Sequence, residues 1–196
     1  NKKDPVTCII GGAKISTKIN VISNLIRSAK NIVIVGAMAN NFLNYHNYEI
    51  GKSLKEENSF EIIKKILIKA ENHKCKIIIP EDCLVSKNSE GSAITKHIKS
   101  IEKDDIILDI GPETIKIIEK IIDNSNTVMW NGPAGYFENK NFSIGTNSIA
   151  KKVSENTIKK SLVSVIGGGD TVSALNKSGL ALSFTHLSTA GGAFLE

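Results

Sequence analysis

Two lysines, Lys14 and Lys18, follow the glycine pair Gly11-Gly12 at the spacing of one helical turn. The apolar periodicity places them at the start of a helix, the end that carries partial positive charge. Cations are locally unfavourable there. An anion bound between the backbone amides and the two ammonium groups would reverse the sign of that effect. The plain alternative is a pair of solvated lysines in a lysine-rich chain. A second candidate is Asp170, which follows Gly167-Gly168-Gly169 and opens another helix. Asp is a good helix N-cap. Its carboxylate in that place could also hold Mg²⁺ beside phosphates. A third is the segment Trp130-Asn-Gly-Pro-Ala-Gly-Tyr-Phe-Glu138. Its stiff turn could aim Asn131 and Glu138 at a ligand, although Glu138 could equally be a surface carboxylate. Trp130 reads as core.

The elements that must position these residues are legible as short β-branched runs alternating with helical patterns. Runs at Val6–Ile10, Asn31–Val35, Lys76–Ile79, Asp105–Asp109, Asn126–Trp130, Ser161–Ile166 and Phe184–Leu187 read as strands. Helical spacing follows most of them: 15–29, 38–45, 56–73, 113–122, 143–154 and 170–178. Residues 81–104 are polar and give no clear pattern, apart from a weak alternation over Ser92–Ile98 that suggests a small accessory strand. Continuous apolar strands are buried on both faces, the mark of a parallel sheet covered by helices. The predicted fold is therefore α/β: a doubly wound, Rossmann-like three-layer sandwich around a six-stranded parallel sheet, with 1–196 as one domain. Ligands of such sheets bind beyond the carboxyl ends of the strands. Gly11-Gly12, Gly36, Gly111, Gly132 and Gly167–Gly169 all fall at those ends, which suggests a phosphate-bearing ligand. Neither a Walker A sequence nor G-x-G-x-x-G is present.

Composition narrows the classes further. The chain has 196 residues, 41% of them apolar, and a net charge of +5. Of its 25 basic residues only Arg27 is an arginine. The lysines are scattered, which argues against nucleic acid as a partner. Lys, Ile and Asn are abundant together, as AT-rich codons would make them. No apolar run approaches the roughly 20 residues of a bilayer span, so no membrane association is expected. Cys8, Cys75 and Cys83 form an odd set without a C-x-x-C, which fits a reducing compartment. Cys8 reads as a core residue. His46, His73, His97 and His186 lack metal-ligand spacing. The first residue is not Met and the chain stops abruptly at Glu196, so a piece of a longer protein is expected.

Six ordered motifs then carry a resemblance: Gly11-Gly-Ala-Lys-Ile-Ser-Thr-Lys18, Met38–Leu54 with Tyr48-Glu-Ile-Gly-Lys-Ser-Leu54, Leu108-Asp-Ile-Gly-Pro112, Trp130–Glu138, Gly167-Gly-Gly-Asp-Thr171 and Ser188-Thr-Ala-Gly-Gly192. Together they resemble the C-terminal half of phosphoglycerate kinases. The resemblance implies reversible phosphoryl transfer between ATP and 3-phosphoglycerate with Mg²⁺, in the cytoplasm, by a monomer. It implies that this half binds ATP/ADP and that an N-terminal half absent from this chain binds the phosphoglycerate. Lys18 looks like the lysine that follows the transferring phosphate, and Lys14 like its neighbour. Gly12 and Ala13 belong to the same loop. Asp170 looks like the Mg²⁺ ligand, with Gly168, Gly169 and Thr171 as the phosphate cradle. Asn131 is similar to a nucleotide phosphate contact and Glu138 to the ribose ligand. The adenine slot is expected near Gly36, Ala37, Ile107 and Leu108. Gly191 and Gly192 look like the helix start that meets the moving phosphate. The family commonly has glycine where Ala37, Ile107 and Ala190 stand. The rival readings are a non-catalytic scaffold that keeps the fold, and a different α/β kinase or mutase. The four polar residues Lys14, Lys18, Glu138 and Asp170 disfavour the first, and the order of the motifs disfavours the second.

Overall fold

A computed structural model describes residues 3–189. Ala190, Gly191 and Gly192, and the roles expected of them, lie outside the described residues.

The first apolar run forms β1 (Val6–Ile10), buried over its whole length. β2 (Asn31–Ile34) and β3 (Lys76–Ile78) extend the sheet on one side of it, and β7 (Thr127–Asn131), β8 (Val163–Gly167) and β9 (His186–Ser188) on the other. The order is β3-β2-β1-β7-β8-β9, and every pairing is parallel. The order reverses direction between β1 and β7. In open α/β sheets that switch point is where a crevice opens.

Alternation along each strand sends side chains to two cores. Val6, Cys8, Ile10, Ile32 and Ile34 face α1 (Ile19–Leu25), α2 (Ala37–Tyr45) and α3 (Phe60–Asn72). Ile9, Val33, Val35, Val128, Trp130 and Ile166 face α4 (Pro112–Asp123), α5 (Ile144–Ile158) and α6 (Gly169–Ser178). Ile118 and Ile122 of α4 and Ile149 and Val153 of α5 fill that second core at helical spacing. The six-stranded parallel sheet between helical layers agrees with the expectation, and Trp130 and Cys8 are core residues as read.

Two expectations need correction. The run at 105–109 forms β6 (Ile106–Ile110), but it does not join the parallel sheet. It pairs antiparallel with β4 (Asp82–Ser86), which in turn pairs antiparallel with β5 (Ile94–His97). Gly111 therefore ends a strand of this second sheet, away from the rim of the first. β4 escaped the reading because its ends, Asp82 and Ser86, are polar although all five residues are buried. The second correction concerns the first helix. Ile15 and Ile26 are buried as the periodicity requires, but α1 keeps only seven residues. Before it, Lys18 N–H bonds to Ile15 C=O and the Thr17 hydroxyl to Lys14 C=O, closing a turn in place of a first helical turn. Lys18 is the N-cap residue, and Lys14 lies in the loop before it.

Two buried carboxylates fasten the second sheet to the helices. Asp82 accepts the amides of Glu113 and Thr114 at 3.0 and 2.8 Å, capping α4 from the neighbouring strand. A Cβ on Gly111 would sit 2.3 Å from that carboxyl carbon, so only glycine admits the cap. Asp109 accepts the amides of Ile110 and Gly145 at 2.9 and 2.8 Å, tying β6 to the start of α5. Burial nevertheless pushes its carboxyl up to about 7. At the sheet's far end, buried Asp105 sits between the ammonium groups of Lys87 and Lys96, 2.8 Å from each. Burial raises its pKa, but the bonds from Lys87, Lys96 and the Glu102 amide, with the Lys96 charge, together outweigh it and hold the group at about 2.

Replacing Asp82 by Ala removes a charged acceptor from two backbone donors, and we expect a loss of about 2 kcal/mol in urea unfolding. Asp109 gives a signed pH effect. Its folded pKa lies above the ordinary 3.8, so the folded state binds the extra proton between about 4 and 7. Its contribution is fully present at low pH and is lost as pH rises towards 7. An Asp109→Asn variant should therefore gain on the parent chain between pH 4.5 and 7.5. Parallel stability profiles would contradict this.

Candidate functional site

The carboxyl ends of β2, β1, β7 and β8 form one rim. Here Gly11 and Gly132 approach so closely that neither tolerates a side chain. A Cβ on Gly11 would lie 2.3 Å from Pro133 C=O, and one on Gly132 would lie 2.4 Å from the Gly11 backbone. Gly11 N–H bonds to Asn131 C=O at 2.7 Å across the same gap. Chain-to-chain packing alone therefore requires glycine at both positions.

Beyond the rim lies a cavity of about 490 Å³. Gly12, Ala13, Gly36, Ala37, Ile107, Leu108, Glu138 and Asp170, all expected at the site, line it. β6 supplies one wall, so the strand that left the parallel sheet became the roof of the crevice. Ile107 is held there by its backbone N–H, which donates to the Ser53 hydroxyl at 2.8 Å. The same segment presents Leu54, whose side chain lies on the cavity although 71% of the residue is exposed. Tyr136 and Phe137 stand opposite, and Tyr136 N–H bonds to Leu108 C=O at 2.7 Å. The result is an apolar slot of the kind a flat heterocycle fills. Ala37 opens α2 and Ile107 lies in β6; both line that slot, and Ile107 also packs against the cluster of Leu43, Ile50 and Cys83.

Beside the cavity, next to Asp170 of its lining, is a polar cluster built on Asn131, which is buried. Its amide nitrogen donates to Gly167 C=O at 2.9 Å, which fixes the sense of the amide. Its oxygen then faces Lys18, whose ammonium group donates to it. Partial burial lowers the Lys18 pKa, and the negative charge of Asp170 opposes that shift. Asp170 itself is exposed in the first turn of α6. No side chain caps that helix. Thr171 is wholly buried: its hydroxyl donates to Gly167 C=O at 2.9 Å and accepts the Gly132 amide at 2.7 Å. It therefore locks the helix start to the strand ends. Gly168 takes φ +100°, and a Cβ there would meet the Asn131 amide at 2.6 Å. Gly169 has open space on its side-chain face.

Lys14 does not stand beside Lys18 in the same environment. It is exposed, and its charge acts on Glu56. Glu138 is exposed at the cavity mouth, and its backbone carbonyl accepts the Lys177 ammonium at 3.2 Å.

Sequence reasoning missed five contributors. Leu54 closes a quoted motif but gave no sign of facing a ligand. Asp109 lies in Leu108-Asp-Ile-Gly-Pro112, where an acidic residue inside an apolar strand was the available signal. Tyr136 and Phe137 sat inside a quoted turn. Asn40 of α2 also lines the cavity. Its amide nitrogen donates to Leu54 C=O at 2.9 Å, which leaves its buried oxygen without a partner among the described residues.

Comparison with known proteins bears on this geometry. The phosphoglycerate kinase family profile matches residues 1–196. A phosphoglycerate kinase of Wolbachia pipientis wMel is 48% identical over 197 residues, covering 100% of this chain and 50% of the relative. One from Rhizobium leguminosarum bv. trifolii is 44% identical and covers 98% of this chain and 48% of its own length. The structure of phosphoglycerate kinase from Coxiella burnetii superposes with a TM-score of 0.92 at 36% identity, over 100% of this chain and 50% of that one. The chain thus spans about half the length of the curated relatives it matches. Matched along its whole length by sequence profile and by fold, the chain belongs to the phosphoglycerate kinase family.

Proposed function

We propose that this chain is the C-terminal, nucleotide-binding half of a phosphoglycerate kinase. The observation that carries the reading is an apolar cavity with a polar cluster beside it, the two linked through Asp170. Its apolar slot, from Gly36, Ala37, Leu54, Ile107 and Leu108, suits adenine. The end of the cavity at Asp170 lies at a helix start, beside the Lys18–Asn131 pair. That end suits a phosphate tail. Glu138 at the mouth suits the ribose.

The donors present also fit Mg²⁺. Asp170 is an exposed hard-oxygen ligand, and it belongs to no closed cluster of three ligating groups among the described residues. Magnesium commonly takes one or two carboxylates and completes its shell with phosphate oxygens and water. When bound, the ion would neutralise charge on the phosphates. Asp170 would hold it.

In the whole enzyme the terminal phosphoryl group passes between ATP and the carboxylate of 3-phosphoglycerate. The P–O bond to ADP breaks as a P–O bond to the carboxylate forms, and the reverse reaction returns the group from 1,3-bisphosphoglycerate to ADP. Such transfer needs positioning and charge stabilisation more than covalent help. Lys18 is suited to this. Asn131 keeps its ammonium at the strand ends, and partial burial has removed some of its water, so an arriving phosphate meets a poorly screened cation. Lys14, Gly168, Gly169 and Thr171 shape the rest of the cradle. The phosphoglycerate would be bound by the other half of the protein. Closure of the halves would expel water and strengthen every charge interaction in the site. Gly191 and Gly192 keep the role that the resemblance gives them, at the end of the chain.

The isolated chain should bind MgADP and MgATP without turnover. Calorimetry with MgADP should give saturable heat, and silence at millimolar nucleotide would overturn the reading. In the full-length enzyme, Lys18→Ala should lower the transfer rate by about 10²–10³ while weakening ADP binding far less. Equal losses in both would remove Lys18 from the role assigned to it.

A further inference from the structure

We infer that Glu56 is a positioning residue for the lysine turn of the nucleotide site; this rests on the function proposed above. Glu56 lies about 40 residues beyond that turn in sequence, outside every motif quoted above, and the fold brings the two together. Its Oε2 accepts the Ser16 amide at 3.0 Å. The Ser16 hydroxyl, the Ser16 and Ile15 backbone and the Lys14 charge all favour its ionised form. Ile15 and Ser16 are two of the three residues between Lys14 and Lys18. One carboxylate therefore holds the segment that decides where both ammonium groups point.

Glu56 is itself anchored from below. Its amide donates to Asn41 Oδ1 at 2.7 Å, and the Ser59 hydroxyl donates to the same oxygen at 3.2 Å. Asn41 is buried, and its amide nitrogen donates to Met38 C=O at 3.3 Å within α2. α2 opens with Ala37 on the cavity rim. The same helix thus bounds the apolar slot and, through Asn41 and Glu56, steadies the turn that directly follows Gly12 and Ala13 of the cavity lining. The Lys18 side chain then reaches Asn131 from a fixed base.

Two effects of Glu56 oppose each other. Its charge attracts Lys14 and so competes with an incoming phosphate. Its hydrogen bonds order the turn and so favour phosphate. Exposed ion pairs contribute little. Charge-assisted bonds to backbone amides contribute more. Ordering should win.

The test titrates this chain with MgADP and with adenosine, comparing the parent with Glu56→Ala and Glu56→Gln. Adenosine reads the slot alone, and MgADP adds the phosphate end. Glu56→Ala should weaken MgADP at least fivefold and leave adenosine within twofold. Glu56→Gln keeps an oxygen for the Ser16 amide and drops the charge, so it should bind MgADP within twofold of the parent. The inference is overturned if Glu56→Ala leaves MgADP unchanged, if it weakens both ligands by the same factor, or if Gln is as weak as Ala. A parent chain that binds neither ligand overturns the nucleotide reading itself, and this inference with it.

Discussion

The crossing of two backbones at Gly11 and Gly132 is the constraint on which the site depends. The ends of β1 and β7 meet closer than any side chain permits. That contact joins the two halves of the sheet at the point where strand order reverses. It places the Asn131 amide between Gly167 C=O and Lys18, and it brings the Gly132 amide to the Thr171 hydroxyl. A methyl group at either glycine would push the strands apart and separate the lysine turn from α6. Backbone packing therefore comes first, and the polar geometry follows from it.

Electrostatics at the rim is arranged by burial as much as by charge. Lys18 is the better desolvated of the two lysines, has an amide oxygen as its partner and feels Asp170. Lys14 remains in water and answers to Glu56. Two residues of one type, four positions apart, thus acquire different characters. The desolvated ammonium gains most from an anion. The solvated one can move at little cost.

The second sheet gives the crevice its other wall. It is held by paired buried carboxylates: Asp82 on the α4 start, Asp109 on the α5 start, Asp105 between Lys87 and Lys96. Each of the three groups is buried. Asp82 and Asp109 are satisfied by backbone amides and Asp105 mainly by cations. The difference shows in the opposite pKa directions of Asp109 and Asp105. A wall fixed in this way can present Ile107 and Leu108 to a ligand without collapsing into the slot.

Local chemistry in the chain was enough to determine the alternation of strands and helices, the parallel sheet, the glycine-rich rim and eight of the residues that line the crevice. Apolar period, glycine position and motif order are properties of short stretches, and burial on both faces leaves its mark directly on strand composition. Tertiary structure alone decided the rest. It moved 106–110 into an antiparallel sheet, because pairing partners are chosen by β4, whose polar ends hide its burial. It shortened α1 and gave Lys14 and Lys18 separate surroundings, because turn hydrogen bonds and a distant carboxylate outweigh helical period. It brought Leu54, Asn40 and Glu56 to the site, because contacts between residues far apart in the chain depend on packing, which no local pattern encodes.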